Sequence, residues 1–379
     1  MSRRKKDRLR PLTERYRKHK KGGDMSERLA GKVAVVVGAT GIIGRAIAAK
    51  LAGQGGWRVI GVTRSGATVP GVNEAIAVDL SDPKEARRRL VPAAGATHLF
   101  FAAYLPQVSW AAEVGPNRAL LVNAVEGLEA VGAPLRHITL ITGAKYYGVH
   151  LGPSAAPAAE TEPRHLGPNF YYDQEDYLRS RTDAAWHWNN LVPTHLTGFA
   201  TGNPMNLALS VAVYASLVRA AGLRLDFPGT AAAFGALTHV VDAEQLAEAA
   251  AWSAVAPQAA GEVFNVANGD PTRWSHLWPA FADYFGVPAG GPRPIPLSSF
   301  MRALAPLWKQ MAVNYELAQP ELGPLVNWAF LEFLLAIEYD IVLALGKIRR
   351  AGFTRHPDTT EGFFKQFDEY RRARIIPTF

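Results

Sequence analysis

The chain has 379 residues, 48% of them hydrophobic and 20% charged, which is typical of a soluble globular protein with one large domain or two moderate ones. The absence of cysteine excludes disulfides, thiolate nucleophiles and cysteine-ligated metals, and we expect no metal site. The net charge of +8 arises within residues 1–24, so the rest of the chain is neutral overall and offers no basic surface to nucleic acid.

The basic segment, residues 1–24, carries eleven Lys and Arg against three acidic residues and has no apolar core pattern. We predict a disordered, solvated tail, or an extension upstream of a natural start at Met25; an arm that binds nucleic acid or a membrane surface is the alternative. The segment lacks the apolar region of a secretory signal. The longest apolar stretch, residues 325–345, is interrupted by three acidic residues and predicts a buried or pocket-lining helix. We therefore expect a cytoplasmic protein without a membrane span.

The first motif of the folded part is a glycine-rich turn. An apolar, β-branched run ends in three glycines spaced by three residues, and a stretch typical of a helix follows at once. Strand, glycine turn and helix form the first unit of a dinucleotide-binding fold. The glycines let the backbone approach a pyrophosphate, and the helix N-terminus offers N–H groups and a positive dipole end to its charge. The predicted cofactor contacts in this turn are Gly38, Thr40, Gly41, Ile42, Ile43 and Gly44.

Strand and helix patterns alternate through the first half of the chain, which predicts an α/β fold with a doubly wound parallel sheet. The predicted strands cover residues 33–38, 58–63, 75–79, 98–103, 137–142 and 195–199. The main predicted helices cover residues 84–90, 117–131 and 174–188.

After residue 202 the pattern changes to helices over residues 207–221 and 243–256, a short strand and turn over 264–270, and Pro-rich and aromatic segments. We interpret this half as a smaller lobe that closes over the cofactor. The predicted domains are a basic segment 1–24, a cofactor-binding domain 25–202 whose sheet also receives later elements, and a mainly substrate-binding lobe 203–379.

The end of the second predicted strand bears on the choice of cofactor. NAD-binding folds place a carboxylate there to hold the ribose hydroxyls, whereas a 2′-phosphate needs a cation. This chain has Arg64 between Thr63 and Ser65, and the planar guanidinium suits a phosphate, so we predict NADPH; the alternative is a surface arginine in a loop. Asp79, followed by Leu80, is predicted to accept from the adenine amino group or, alternatively, to cap a helix.

Short-chain dehydrogenases usually carry the catalytic tyrosine and lysine as Tyr-x-x-x-Lys on one helix face. In this chain only Tyr16 and Lys20 match that spacing, and they fall in the basic segment. The usual signature is therefore absent from the part of the chain that we expect to fold.

Two other motifs occupy its place. Residues 142–148 read Thr-Gly-Ala-Lys-Tyr-Tyr-Gly, and residues 169–176 read Asn-Phe-Tyr-Tyr-Asp-Gln-Glu-Asp. With these motifs the chain resembles the progesterone 5-beta-reductase and iridoid synthase-like reductases, an atypical group of extended short-chain dehydrogenases. The resemblance continues through residues 227–230, 264–270 and 375–377, and so covers nearly everything after Lys32.

The resemblance implies that the catalytic lysine has moved to the end of the fifth strand, at Lys145, and that Tyr171 carries the catalytic hydroxyl. Tyr172 is the alternative, because neighbouring helix residues point about 100° apart and only one can face the nicotinamide. The implied reaction is 1,4-addition of hydride to a 2-enone, with Tyr171 stabilising the enolate and Lys145 adding positive charge and orienting the cofactor ribose.

The same resemblance supplies further site residues. His195 stands where relatives have an Arg-Pro pair. We expect it to act in catalysis or, alternatively, to pack in the protein and form a hydrogen bond to backbone. Tyr104 stands where many plant relatives place Trp, so substrate preference does not transfer. The remaining implied cofactor contacts are Ala103, Thr142, Gly143 and His195, and the implied substrate pocket consists of Tyr104, Met205, Asn206 and Phe330.

The leading hypothesis is an NADPH-dependent enone reductase for an apolar, steroid-like or terpenoid substrate. A sugar-nucleotide epimerase or dehydratase is the second, disfavoured by the missing Tyr-x-x-x-Lys pair. A non-catalytic NADP-sensing regulator is the third, disfavoured because Lys145 and Tyr171 are both retained. We expect no nucleic-acid partner and keep a homodimer as an expectation.

Overall fold

The computed structural model describes residues 31–203 and 205–379. The predictions for residues 1–24, for Met25 and for the Tyr16–Lys20 pair fall outside the described residues. The strands are β1 (Lys32–Val37), β2 (Trp57–Thr63), β3 (Glu74–Ala77), β4 (His98–Phe101), β5 (His137–Ile141), β6 (His187–Pro193), β7 (His195–Thr197), β8 (Leu225–Phe227), β9 (Leu237–Thr238), β10 (Val240–Asp242), β11 (Glu262–Val266), β12 (Thr272–Arg273) and β13 (Ala289–Pro292).

The α-helices alternate with the strands in the first half of the chain and dominate the second half. They are α1 (Ile42–Gln54), α2 (Pro83–Arg89), α3 (Trp110–Ala130), α4 (Phe170–Ser180), α5 (Leu207–Ala220), α6 (Ala231–Gly235), α7 (Ala243–Ser253), α8 (Trp274–Phe285), α9 (Leu297–Phe300), α10 (Ala305–Asn314), α11 (Trp328–Leu335), α12 (Gly346–Arg350) and α13 (Thr359–Arg372).

A seven-stranded parallel sheet forms the centre of the molecule, in the order β11-β6-β5-β4-β1-β2-β3. Helices α1 and α7 cover one face, and α2, α3 and α4 cover the other. Because both faces are covered, β1 and β4 are runs of apolar residues rather than alternating patterns. This is the doubly wound fold that the sequence predicts. The edge strand β11 comes from the second half of the chain, whereas the domain boundary at 202 stays a prediction.

The sixth strand of the sheet corrects two predictions. The predicted helix 174–188 ends at Ser180, and residues 187–193 form β6 in the sheet. The predicted strand 195–199 is only the short β7, which pairs with β10 outside the main sheet. The sequence misleads because β6 contains Asn189 and Asn190, two polar residues in a buried strand. Their burial is possible since their side chains form hydrogen bonds to neighbouring residues.

The second half of the chain builds its own apolar core around α5, a helix buried over almost its whole length. Aromatic residues of α8, α10 and α13 pack around it, including the fully buried Trp278, Trp308 and Phe367. The apolar stretch 325–345 forms only the short helix α11, followed by irregular chain, instead of one long helix. Among the residues that the structure describes, no helix has the length and apolarity needed to cross a membrane. The cytoplasmic location and the homodimer stay predictions.

Two imidazoles are buried at the amino edge of the sheet. His98 begins β4 and His137 begins β5, and their ring centroids lie 6.4 Å apart. Burial, together with the neighbouring His137, lowers the pKa of His98 to about 3, and burial lowers the pKa of His137 to about 4. His137 Nε2 lies 2.5 Å from Asn189 Oδ1. Both rings are therefore neutral in the folded protein near pH 7.

This burial predicts a loss of stability in acid. An unfolded histidine titrates near pH 6.5, so below that pH the unfolded chain binds protons that the folded chain excludes. Each buried imidazole then lowers the free energy of unfolding by about 1.4 kcal/mol per pH unit, down to its folded-state pKa. We expect the His137→Gln variant to be less stable at neutral pH but to lose less stability than the wild type between pH ~6.5 and ~4.5.

The measurement is chemical denaturation followed by circular dichroism across this pH range. The exposed His276 in α8 provides the matched control, since His276→Gln should keep the pH dependence of the wild type. An unchanged acid slope in a folded His137→Gln protein would contradict the prediction.

Candidate active site

Many of the predicted site residues follow strands at one edge of the sheet. Parallel strands bring their carboxyl ends to the same side, and in open α/β sheets this edge is where ligands bind. The glycine turn follows β1, Arg64 follows β2, Tyr104 lies beyond β4 and Lys145 follows β5. His195 begins β7, directly after β6. The topology therefore brings together the ends of five segments that are distant in sequence.

The glycine turn between β1 and α1 is packed too tightly for side chains. Gly38 has φ of +81°, and a Cβ there would lie 2.9 Å from the carbonyl oxygen of Ala102. A Cβ on Gly44 would lie 2.2 Å from the Gly38 carbonyl oxygen, so only a residue without a side chain fits where α1 packs on the turn. Gly41 begins α1 without any side-chain cap. The first N–H groups of α1 therefore remain available for an anion, which fits a pyrophosphate.

Two buried hydroxyls at this edge have no hydrogen-bond partner. Thr63 ends β2 and Thr194 directly follows β6, and the Oγ1 atom of each is buried and unpaired. Buried polar atoms normally find partners, so these hydroxyls fit positions that a bound dinucleotide would satisfy. Thr63 is among the predicted contacts; sequence reasoning missed Thr194, although it stands beside the predicted His195.

Arg64 and Asp79 lie close together beyond β2 and β3. Both are exposed. The hydroxyl and backbone N–H of Ser81 lower the pKa of Asp79, and the charge of Arg64 lowers it further. The alternative in which Asp79 caps a helix is wrong, because Asp82 caps α2 by accepting from the backbone N–H of Lys84.

Lys145 sits in a short 3-10 turn that follows β5, and Tyr171 lies in the first turn of α4. The phenol oxygen of Tyr171 stands 3.1 Å from the position of a Cβ on Gly143, just before this turn. Asn169 caps α4 and also donates from Nδ2 to the carbonyl oxygen of Lys145, at 2.9 Å. In the part of the chain that the structure describes, no carboxylate forms an ion pair with Lys145.

The two neighbouring tyrosines have different environments. The Tyr172 hydroxyl donates to the carbonyl oxygen of Tyr146 at 2.5 Å and accepts from the backbone N–H of His165 at 3.2 Å. Its polar atom is thus used inside the protein. Tyr171 is half-buried and packs against Phe170, with ring centroids 4.4 Å apart. Its hydroxyl is the one that stands beside the strand end and is positioned for a ligand.

Burial controls the protonation of the groups at this edge. It raises the pKa of Tyr171, and the nearby negative charge of Glu113 raises it further. Burial also lowers the pKa of His195 to about 4. His195 Nδ1 lies 2.8 Å from the hydroxyl of Thr238. Near neutral pH the site therefore presents a protonated phenol and a neutral imidazole, and His195 is held by packing and a side-chain hydrogen bond.

The other predicted residues divide into exposed and buried ones. Thr142 donates its hydroxyl to Asn190 Oδ1 at 2.8 Å, so that group is used inside the fold. Asn206 is a correction: it is fully buried, caps α5 and donates to Gly198 and Tyr370, so it is not an open pocket wall. Met205 is exposed, and the half-buried Phe330 packs on the apolar core around α5.

The polar residues that support the site are mostly ones that sequence reasoning missed. Asn169 belongs to one of the two motifs, but the motif assigns it no role. Glu113 lies in α3, outside any motif. Gln174 Nε2 donates to the carbonyl oxygen of Asn117 at 2.8 Å and so ties α4 to α3. Gln174 and Asn117 lie 57 residues apart in the sequence, and Asn169 and Lys145 lie 24 apart, so no local spacing reveals these contacts.

Comparison with known proteins identifies the family. A family model described as a PRISE-like Rossmann-fold domain matches residues 79–377. A 3-oxo-Delta(4,5)-steroid 5-beta-reductase of Arabidopsis thaliana is 29% identical over 365 residues, covering 91% of this chain and 93% of the relative. An (S)-8-oxocitronellyl enol synthase of Camptotheca acuminata is 31% identical over 378 residues, covering 93% and 95%.

Solved structures agree with the fold. A putative epimerase from Burkholderia cenocepacia superposes with a TM-score of 0.65 at 18% identity, covering 91% of this chain and 99% of that one. A UDP-glucose 4-epimerase from Thermus thermophilus gives 0.62 at 20% identity, covering 90% and 99%. At such low identity these similarities establish the fold alone. The predicted family and its Rossmann fold are confirmed, and the chain belongs to the PRISE-like Rossmann-fold family of the short-chain dehydrogenase/reductase superfamily.

Proposed function

We propose that this chain is an NADPH-dependent reductase of activated C=C bonds, acting on 2-enones with apolar bodies. The observation that carries the proposal is that the Tyr171 hydroxyl lies next to Gly143, which precedes the turn that holds Lys145, while the Tyr172 hydroxyl donates to the carbonyl oxygen of Tyr146. The relatives named as a steroid 5-beta-reductase and as enol synthases support a reductase.

NADPH, when bound, supplies the hydride that adds to the β-carbon of the enone. Negative charge then grows on the carbonyl oxygen, and Tyr171 donates a hydrogen bond to it from a protonated hydroxyl. The enolate then takes a proton at its α-carbon from water, which gives the saturated ketone. The raised pKa of Tyr171 suits this role, because a neutral phenol is the donor that the developing enolate needs. Lys145 adds positive charge at the same edge and orients the cofactor ribose.

The environment of Tyr171 disfavours the epimerase alternative. In that chemistry the tyrosine must accept a proton from a substrate alcohol, which requires access to the phenolate. Burial and the negative charge of Glu113 both raise the pKa of Tyr171 and oppose ionisation. A reaction in which the tyrosine keeps its proton fits this site better.

Arg64 supports NADPH over NADH. It is exposed at the end of β2, and its charge acts on Asp79 across the site. A guanidinium at this position can form paired hydrogen bonds with a 2′-phosphate. In this proposal Thr63, Ser65 and Asp79 complete the adenosine side of the site.

The proposed function predicts NADPH oxidation that depends on an enone. We expect turnover with at least one member of a panel graded in size, from cyclohexenone through verbenone to progesterone, with the saturated ketone as product. The measurement is the loss of NADPH absorbance combined with product analysis by mass spectrometry, and cyclohexanone is the control. Tight NADPH binding without turnover of any enone would contradict the proposal and favour a cofactor-sensing regulator.

The tyrosine assignment predicts unequal effects of two substitutions. Tyr171→Phe removes the donor to the developing enolate and should lower kcat about 100-fold, the usual effect of losing one oxyanion donor. Tyr172→Phe instead removes the hydrogen bond to Tyr146, and should cost about 1 kcal/mol of stability while leaving kcat within about threefold. Steady-state kinetics and thermal denaturation of both variants measure these effects. The reverse order of the kcat effects would transfer the catalytic role to Tyr172.

The cofactor assignment predicts a change of preference in Arg64→Ala. We expect the KM for NADPH to rise about tenfold or more while the KM for NADH changes little, because only NADPH carries the 2′-phosphate. Arg136, exposed at the opposite edge of the sheet, provides the control variant Arg136→Ala. If Arg64→Ala keeps the wild-type preference, Arg64 does not bind the phosphate.

A further inference from the structure

An aromatic wall stands beside Tyr171. Tyr104, in the segment between β4 and α3, stacks on Phe170 with ring centroids 5.7 Å apart and an angle of 17° between the rings. Phe170 in turn contacts Tyr171. Tyr104 is 41% exposed, so one side of this residue remains open to solvent while its ring stacks on Phe170. A substrate whose carbonyl reaches Tyr171 would pass along this open side.

A buried carboxylate holds the wall in place. Glu113 lies in the first turn of α3, is only 5% exposed, and accepts the hydrogen bond of the Tyr104 hydroxyl. No Lys, Arg or His among the described residues forms an ion pair with Glu113. A buried carboxylate without a cation is costly and depends on its hydrogen-bond donors. The N-terminal end of α3 and the Tyr104 hydroxyl supply that stabilisation.

The segment behind Tyr104 is fixed as well. Asn117, one turn further along α3, accepts from the backbone N–H of Leu105 and donates to its carbonyl oxygen, both at 2.8 Å. Gln174 in α4 donates to the carbonyl oxygen of Asn117. The backbone next to Tyr104 is therefore fastened to α3, and α3 to α4. The phenol ring itself is held by its stacking on Phe170 and by Glu113.

We propose that Glu113 is a positioning residue that limits the width of the substrate by holding Tyr104 against Phe170, beside Tyr171. The inference rests on the proposed reductase function and deepens it. Glu113 acts on the substrate width through Tyr104 and does not contact the reacting atoms; its charge also raises the pKa of Tyr171, an effect that is the same for every enone and cancels in a ratio of two enones. Because the Tyr104 ring is fixed, substrates with flat ring systems fit beside its open side. Bulkier substrates are excluded, since the ring cannot move to make room for them.

The test compares three variants on the same graded enone panel. Tyr104→Phe removes the hydrogen-bond donor, Glu113→Leu removes the acceptor, and Glu113→Gln keeps an acceptor oxygen of similar reach. The quantity measured is the ratio of kcat/KM for the widest enone that the wild type reduces to that for cyclohexenone. Glu126 lies on the exposed side of α3, so Glu126→Leu is the matched control.

We expect the ratio to rise about fivefold or more in Tyr104→Phe and in Glu113→Leu, mainly through a lower KM for the wider enone. Glu113→Gln should restore a ratio close to that of the wild type, and Glu126→Leu should not change it. The double variant should match the single ones, because both remove the same contact. Where the wild type reduces cyclohexenone alone, the two variants should gain a wider substrate.

An unchanged or lower ratio in Tyr104→Phe would overturn the inference, and so would additive effects in the double variant. Tyr104 is half exposed, so this variant keeps the test open even where Glu113→Leu fails to fold. Failure of the proposed function gives a different result, because the wild type would then reduce none of the enones.

Discussion

The hydrogen bond from the Asn169 side chain to the carbonyl oxygen of Lys145 joins the two segments that carry the proposed chemistry. The same side chain caps α4 by accepting from the backbone N–H of Tyr171, at 3.1 Å. Where a tyrosine and a lysine share one helix, the helix geometry fixes their separation. Here they stand on different segments, so hydrogen bonds between the segments must fix their separation, and the bond of Asn169 is one that reaches Lys145 directly.

A network of buried polar side chains supports this contact. Glu175 in α4 is 1% exposed, and it accepts from Arg179 at 2.9 Å and from Asn190 Nδ2 at 2.8 Å. Asn190 in β6 also accepts the hydroxyl of Thr142 at the end of β5. Each buried polar atom in this chain of contacts has a partner, which makes the arrangement specific as well as stable. The network links α4, β5 and β6, the elements next to which the proposed catalytic residues lie.

The parts of the fold that could be predicted are those with local signals. The glycines in the turn after β1 have a spacing that is explained by close backbone packing. The motifs around Lys145 and Tyr171 are long enough to indicate a resemblance to a family. The sixth strand could not be predicted, because Asn189 and Asn190 break the apolar pattern of a buried strand. Their hydrogen-bond partners lie on distant elements. A sequence pattern does not show that these partners compensate for the burial of two polar side chains.

The Tyr104–Glu113 contact illustrates the same limit at the site itself. The family motifs carry the tyrosine and lysine of the proposed reaction, whereas this contact lies in a segment without a motif. The half-buried Tyr104 has a hydroxyl that needs a hydrogen-bond partner, and Glu113 accepts from it while the ring stacks on Phe170. In the proposed role, Glu113 therefore both accepts this hydrogen bond and fixes the position of the ring that lines the substrate site. In the proposed function, reaction type and substrate width are therefore set by different parts of the chain, and we expect the width to change without a change in the chemistry.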